Sequence, residues 1–272
     1  MFMPSETQAL LGNSTPWLEG VHLDQDAQAK VRFHPAAADA GIVFVRSDLP
    51  GQPEIRCAPE NLQSMPRWTS LQSGGHWVHH TEHILAALAL CGIDNAVVEM
   101  DSDRIPLLPD GTCALFVEAL QNAGRKNTSV PRQFYRLKGP VCLWDSQSSG
   151  RTESQEPALR NGRYILALPA DHLAVSTVFH WAHGDDLPIG VAEFELLGSS
   201  LDPLILRARS YLVESERPLV ENLLGPVRNS LMMLYPGCPP ALAQEAARHK
   251  IVDFIGDMMA LVELIADPRT VI

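Results

Sequence analysis

The chain has 272 residues, of which 46% are hydrophobic and 19% charged, as expected of a globular protein with one large or two modest domains. Its net charge of −11 argues against a nucleic-acid partner, which requires a basic surface, but not against a small anionic substrate. The five cysteines form no CxxC pair, the first residues lack a signal-peptide pattern, and no apolar run is long enough to span a membrane. We therefore expect a cytoplasmic protein without disulfide bonds or a transmembrane segment.

The first half of the chain is predicted to form a small α+β unit over residues 20–124. Two short β-rich runs, VRF and GIVFVR, lie within residues 29–48 and are separated by a connector rich in Pro, Ala, Asp and Gly. The stretch TEHILAALALCGIDNA has the apolar spacing of a helix that ends at Gly92, and AVVEM (96–100) follows as a strand. A second helix is predicted at CALFVEALQNAG (113–124).

The second half is again predicted to consist of strands and helices, which suggests a duplicated architecture. The fold class is therefore predicted as α+β with two similar domains, at residues 1–126 and 127–272. The polar segment RKNTSVPRQ (125–133) is the predicted linker between them. Four β-rich stretches follow, YRLKGPVCLW, RYILALP, AVSTVFHWAH and IGVAEFELL, with a polar loop at 145–162 after the first. A long helix is predicted at 241–266.

Two polar residues interrupt the apolar sequence of the predicted long helix. His249 and Asp253 are four residues apart, so their side chains project from the same face. A neutral imidazole and a carboxylate at this spacing can bind one divalent metal ion, and catalytic zinc takes a third protein ligand and leaves a fourth position open. The alternative is a solvated His–Asp pair on the helix surface. Apolar neighbours on nearly all sides favour burial, and a buried polar pair requires a partner.

A second cluster of polar side chains lies in HHTEHILAAL (79–88). Thr81 is the predicted N-cap, which puts Glu82 and His83 in the first turn of the helix. His83 is a candidate third metal ligand, and Glu82 is a candidate proton carrier for a metal-activated water. His79 and His83 also have i, i+4 spacing and could bind a metal as a separate pair. An exposed histidine-rich loop is the alternative.

Other polar residues are weaker candidates. Lys250 could contact an anion, although surface lysines are far more common. The polar residues of LRARSYL could bind phosphate or polarise a carbonyl, and a strand with a charged face explains them equally well. The two histidines of FHWAH could form a ligand-binding edge or lie on a half-exposed strand, and the sequence contains no nucleotide-loop or GxSxG motif. The residues in these two stretches are Arg207, Arg209, Ser210, His180 and His183.

Two long segments resemble the signatures of the zinc-dependent UDP-3-O-acyl-N-acetylglucosamine deacetylases. The first, TEHILAALALCGIDNAVVEMDSDRIPLLPDGTCALFVEAL (81–120), resembles an EH-led helix followed by GIDNA and an IP…DGS…FV run. The second is RHKIVDFIGD (248–257). AAADAGIVFVRSDL resembles the family's opening strands and RARSYL its ARTF segment, so the similarity extends in order from about residue 20 to about residue 261.

The resemblance implies a fold of two α+β domains whose helices are sandwiched between outer sheets. It also implies a catalytic zinc site with a general base, and Arg209 in RARSYL is a further candidate for substrate binding. The implied residues are His83, His249 and Asp253 for the metal, Glu82 as general base, Asp257 and Ser210 for catalysis (Ser210 in place of a family threonine that helps to hold the oxyanion), and Lys250 for substrate.

The implied reaction is hydrolysis of the acetamide of a UDP-linked, 3-O-acylated N-acetylglucosamine, an early step of lipid A and lipopolysaccharide biosynthesis, by a cytoplasmic monomer. The family pattern continues into a final strand and helix with a histidine, whereas MMALVELIADPRTVI contains none, so the second domain is expected to lack these elements. One alternative is a catalytically weak or silent relative that binds metal or a UDP-sugar. Deacetylation of another N-acetylated sugar is a third possibility.

Overall fold

The structure is a computed structural model that describes residues 7–23, 27–65, 68–133, 137–144, 164–170, 172–180, 187–196, 201–220 and 230–262. It has the predicted α+β composition, with helices and mixed sheets. The strands are β1 Thr7–Leu11, β2 Leu18–Val21, β3 Gln28–Pro35, β4 Ile42–Arg46, β5 Glu54–Arg56, β6 Leu62–Ser64, β7 Thr69–Ser73, β8 His76–His79, β9 Ala96–Met100, β10 Arg125–Pro131, β11 Val141–Trp144, β12 Tyr164–Ala167, β13 Ala174–Phe179, β14 Gly190–Glu195, β15 Tyr211–Val213 and β16 Met232–Leu234. The α-helices are α1 Glu82–Leu90, α2 Ala114–Ala123, α3 Pro203–Leu206 and α4 Pro240–Val262, and 3-10 turns occur at Pro59–Asn61 and Glu214–Val220.

A five-stranded sheet in the order β2-β3-β9-β4-β5 is the framework of the first half. Its central strand, β9, runs parallel to β4 and antiparallel to β3. Ala96, Val98 and Met100 of β9 are buried, since alternate residues of a strand face the same side. They share one hydrophobic core with side chains of α1 and α2. The predicted strand at 96–100 and the two predicted helices beside it are thus confirmed.

The segment predicted as a linker, residues 125–133, forms a strand instead. Its first seven residues are β10, which pairs antiparallel with β1. Most side chains of β10 are exposed in this two-stranded ribbon, so the strand does not need the apolar alternation that identifies strands with one buried face. The prediction of a linker is therefore wrong, because a strand with mostly exposed side chains and a polar linker have similar compositions.

In the second half, the hairpin β13–β14 packs against α4. The inward side chains of the hairpin alternate with exposed ones and share a core with α4 and with part of α1. Since other side chains of α1 belong to the core under the five-stranded sheet, α1 lies between the two β-structures. The long helix predicted at 241–266 is confirmed as far as Val262, and the polar loop predicted at 145–162 lies outside the described residues. None of the described helices combines the length and hydrophobicity needed to span a bilayer.

Helices α1 and α4 approach each other closely at Gly256. A β-carbon on this residue would lie 2.0 Å from the backbone oxygen of Glu82, well inside van der Waals contact. Only glycine therefore permits this approach of the two backbones. The contact brings the first turn of α1 against the C-terminal half of α4, and so determines how the side chains of the two helices meet.

We expect Gly256→Ala to destabilise the protein, because the added methyl group must push α1 and α4 apart. Overpacking of this kind lowers the free energy of unfolding by about 1–3 kcal/mol, which chemical denaturation can measure. Gly139→Ala is the matched control, since a β-carbon there meets no atom within 4 Å. Equal stability of both variants would show that the helices do not touch at Gly256.

Candidate metal centre

Three polar side chains from two helices converge on one point. The Nε2 atoms of His83 and His249 lie 3.3 Å apart, and Oδ1 of Asp253 lies 3.4 Å from each of them. They form a group of potential metal ligands within the described part of the chain. The two segments, 166 positions apart in sequence, therefore meet as predicted.

The spacing of these three atoms fits a tetrahedral metal ion. Atoms that bind zinc at roughly 2.0–2.1 Å in tetrahedral geometry lie roughly 3.3–3.4 Å from one another. The three distances between the donor atoms have these values. Two imidazoles and one carboxylate are also a ligand set of catalytic zinc sites, in which the fourth position stays open. The residues present thus fit a zinc-type cation.

The first turn of α1 presents His83 to α4. Thr81 directly precedes α1, as predicted, but its side chain makes no capping hydrogen bond. Its hydroxyl instead donates to the backbone oxygen of Thr69 at 3.2 Å, because β7 lies alongside and offers that acceptor. The predicted position of the N-cap is confirmed.

His249 is oriented by a backbone carbonyl group. Its Nδ1 lies 3.1 Å from the oxygen of Ala208, so Nδ1 carries the proton and Nε2 is left to face the other two side chains. Burial lowers the pKa of His249 to about 4. The imidazole is therefore neutral at neutral pH, which is the form that binds metals.

Asp253 is ionised and has a distinct partner for each oxygen. Lys250 Nζ donates to Oδ2 at 2.8 Å, while Oδ1 faces the two histidines. Burial raises the pKa of Asp253, but the charge of Lys250 and the hydrogen bond to His83 act against burial, and the pKa is held well below its usual value. Burial lowers the pKa of His83, and the hydrogen bond to Asp253 reverses this into a net increase. A metal ion and a proton would consequently compete for His83.

Glu82 lies beside the three converging side chains. One of its carboxylate oxygens accepts the backbone N–H of Thr69 at 2.6 Å. Burial raises the pKa of Glu82 to about 7, with a smaller contribution from the charge of Asp253. A carboxyl group of this proton affinity next to a metal site has the properties of a general base.

Asp257 lies one helical turn beyond Asp253 on α4. Its Oδ1 accepts the hydroxyl of Thr69 at 2.6 Å. Burial raises its pKa. Asp257 and Glu82 are thus held by different groups of the same residue, Thr69.

Arg209 and Ser210 belong to the segment that leads into β15. Arg209 forms a two-pronged ion pair with Glu245 of α4, with Nε–Oε1 at 2.7 Å and Nη2–Oε2 at 3.0 Å. Ser210 is buried, and its N–H donates to the oxygen of Gly111 at 2.8 Å. These contacts anchor the segment that carries the Ala208 carbonyl group. The substrate-binding role of Arg209 and the catalytic role of Ser210 stay predictions.

Among the residues that the structure describes, no other histidine joins the candidate metal ligands. His79 belongs to the strand β8, so its proposed helical pairing with His83 is wrong. His80, which follows it, has a φ of +62° and breaks the chain direction between β8 and α1. Nδ1 of His79 lies 2.8 Å from the Ser70 hydroxyl oxygen. Of the remaining candidates, His180 and Arg207 are exposed and His183 lies outside the described residues.

Three residues near the metal ligands were not predicted: Thr69, Ala208 and Tyr211. Ala208 and Thr69 contribute backbone groups, which no side-chain pattern marks. The ring of Tyr211 lies edge-on to His249 with centroids 5.7 Å apart, and Lys250 Nζ lies 5.4 Å from its centre. The only sequence signal for Tyr211 is its place in RARSYL, directly after Ser210.

An α+β framework that brings two histidines, an aspartate and a neighbouring glutamate together defines a metal-dependent hydrolase. A model of the UDP-3-O-acyl N-acetylglycosamine deacetylase family matches residues 13–268. The chain belongs to this family, which confirms the resemblance seen in its two signatures.

Proteins of several bacteria that carry the name UDP-3-O-acyl-N-acetylglucosamine deacetylase are similar over most of their length. The protein of Thermosynechococcus vestitus is 30% identical over 267 residues, which cover 94% of this chain and 85% of the relative. That of Phenylobacterium zucineum is 32% identical over 251 residues, 89% of this chain and 80% of the relative. That of Geotalea uraniireducens is 30% identical over 256 residues, 88% of this chain and 75% of the relative.

Proposed function

We propose that this protein hydrolyses the N-acetyl group of a UDP-3-O-acyl-N-acetylglucosamine, the substrate for which its relatives are named. The released products are acetate and a free amine, early in lipid A biosynthesis. The observation that carries the proposal is the group formed by His83, His249 and Asp253 with Glu82 beside it. Amide hydrolysis needs a polarised carbonyl group, a deprotonated water and a protonated leaving nitrogen. A cation held by the two histidines and Asp253 would polarise the carbonyl group, and Glu82 would move the proton.

We infer that the metal is zinc, held by His83, His249 and Asp253. Zinc in this position supplies Lewis-acid polarisation of a carbonyl oxygen and makes a water molecule more acidic. Glu82 removes the proton of the attacking water and returns it to the leaving nitrogen. Lys250 keeps Asp253 ionised by its ion pair at 2.8 Å and so maintains the ligand set.

The other predicted site residues have supporting roles in this proposal. Arg209 and Lys250 are partly exposed cations that attract the anionic UDP group. The hydroxyl of Ser210 helps to stabilise the oxyanion that develops on the carbonyl oxygen. Asp257 adds a further carboxylate to the site, one helical turn beyond Asp253.

The test is acetate release from the acylated UDP-sugar by the zinc-loaded protein. We expect turnover that disappears after chelation and returns when zinc is restored, together with about one zinc per chain by metal analysis. UDP-N-acetylglucosamine without the 3-O-acyl chain and an unrelated N-acetylated sugar are the control substrates. Binding of the acylated sugar without acetate release would identify a silent relative, and preferred turnover of the unrelated sugar would identify a different deacetylase.

A further inference from the structure

Thr69 is the residue at which three parts of the structure meet beside the metal ligands. It is the first residue of β7 and lies opposite the start of α1, since its backbone oxygen accepts the N–H of Thr81 at 3.2 Å. The same oxygen accepts the hydroxyl of Thr81 at 3.2 Å. The hairpin β7–β8 is thereby joined to the N-terminal end of α1.

The other two polar groups of Thr69 contact the two carboxylates of the site outside the metal ligands. Its N–H donates to Oε1 of Glu82 at 2.6 Å, and its hydroxyl donates to Oδ1 of Asp257, 188 positions away, at 2.6 Å. Both bonds join a neutral donor to a carboxylate. Such bonds are shorter and stronger than those between neutral groups.

We propose that Thr69 is a positioning residue of the deacetylase reaction, which fixes Glu82 through its amide and Asp257 through its hydroxyl. The inference rests on the proposed function, because positioning matters only if these carboxylates take part in a reaction. Because both carboxylates are hydrogen-bonded to Thr69, neither can move without breaking its bond or moving Thr69, which the other carboxylate holds in place. A reacting group that is displaced by about 1 Å can lose about a hundredfold in rate.

The hydroxyl can be removed without changing the amide. Thr69→Val keeps the β-branched shape and the N–H that binds Glu82, and it removes only the donor to Asp257. We expect a kcat roughly tenfold to hundredfold lower, the range for the loss of one hydrogen bond to a charged group, with KM and metal content unchanged. Thr69→Ser restores the hydroxyl and is expected to restore kcat.

Thr15→Val is the matched control. Thr15 is a buried threonine of the first half, and its Oγ1 accepts the N–H of Phe33 at 3.0 Å. This hydrogen bond involves neither Glu82 nor Asp257. The same change there lowers stability without lowering kcat. If Thr69→Val and Thr15→Val have the same kcat as the wild type, Thr69 has only a structural role and the proposal is overturned.

A double-mutant cycle shows whether Thr69 acts through Asp257. Thr69→Val should change kcat much less in the background of Asp257→Ala than in the wild type, because its partner is already absent. Full additivity would contradict the proposed contact. The hydrogen bond from the Thr69 amide to Glu82 is tested by NMR. A short hydrogen bond moves an amide proton downfield, so the amide proton of Thr69 should move upfield in Glu82→Ala.

The experiments separate the two hypotheses. Turnover by the wild type, with no change in kcat for Thr69→Val, overturns the inference alone. No turnover by the wild type overturns the proposed function and the positioning role together, whatever the amide shift shows about the contact between Thr69 and Glu82.

Discussion

Asp253→Ala is expected to lose the bound metal and, with it, the deacetylase activity. Asp253 supplies one of three ligands, so the cation would be left with two imidazoles. Removing a group that only orients a ligand typically weakens metal affinity about tenfold to a hundredfold, and removing a ligand should cost at least about a hundredfold. Metal analysis after purification and competition with a chromophoric chelator measure the loss.

The control for this variant is Glu118→Ala, which removes an exposed carboxylate from the helix α2. It should retain about one metal ion per chain. His83→Ala should behave like Asp253→Ala, because His83 completes the same triangle. Full metal content in either ligand variant would rule out the proposed centre.

Glu82→Gln is expected to abolish most of the turnover while the metal stays bound. The amide keeps nearly the same shape and an oxygen that can accept the Thr69 N–H, but it cannot take a proton from water. General acid–base catalysis contributes about 10²–10⁴-fold to such reactions, so kcat should fall by about that factor. Initial rates of acetate release, measured with saturating zinc, test this.

Measuring both kcat and metal content of Glu82→Gln distinguishes a general base from a metal ligand. Glu118→Gln makes the same chemical change on an exposed helix face and should leave kcat unaltered. Loss of metal in Glu82→Gln would mean that Glu82 is a ligand. A kcat within about twofold of the wild type, far from the 10²-fold minimum expected of a general base, would show that another group moves the proton.

The candidate metal ligands were predictable because each of the two segments that carry them has a local pattern. Four-residue spacing puts His249 and Asp253 on one face of a helix whatever the rest of the chain does, and the adjacency of Glu82 and His83 needs only the start of α1. The same reasoning misplaced His79, because the break between β8 and α1 is a left-handed His80 rather than a glycine. Nothing in the letters HHTEH separates the end of a strand from the first turn of a helix.

The contacts that support the ligands were not predictable from patterns. The carbonyl of Ala208 and the amide of Thr69 belong to the backbone and exist in every residue, so only their placement in space gives them a role. The backbone pairing of β10 with β1 likewise joins segments more than a hundred positions apart, and most side chains of β10 are exposed. Long-range pairing of this kind leaves little trace in local composition.

Four of the α4 side chains at the site follow one another at intervals of four residues: Glu245, His249, Asp253 and Asp257. They form a single row along the surface of the helix, since residues at intervals of four lie one above the other. Inserting one residue before Pro240 lengthens a loop and leaves the row intact. Inserting one between His249 and Asp253 would rotate everything beyond it by roughly 100°, separating the carboxylates from both imidazoles at once. We therefore expect natural and engineered variants to tolerate length changes up to the start of α4 and none within the row.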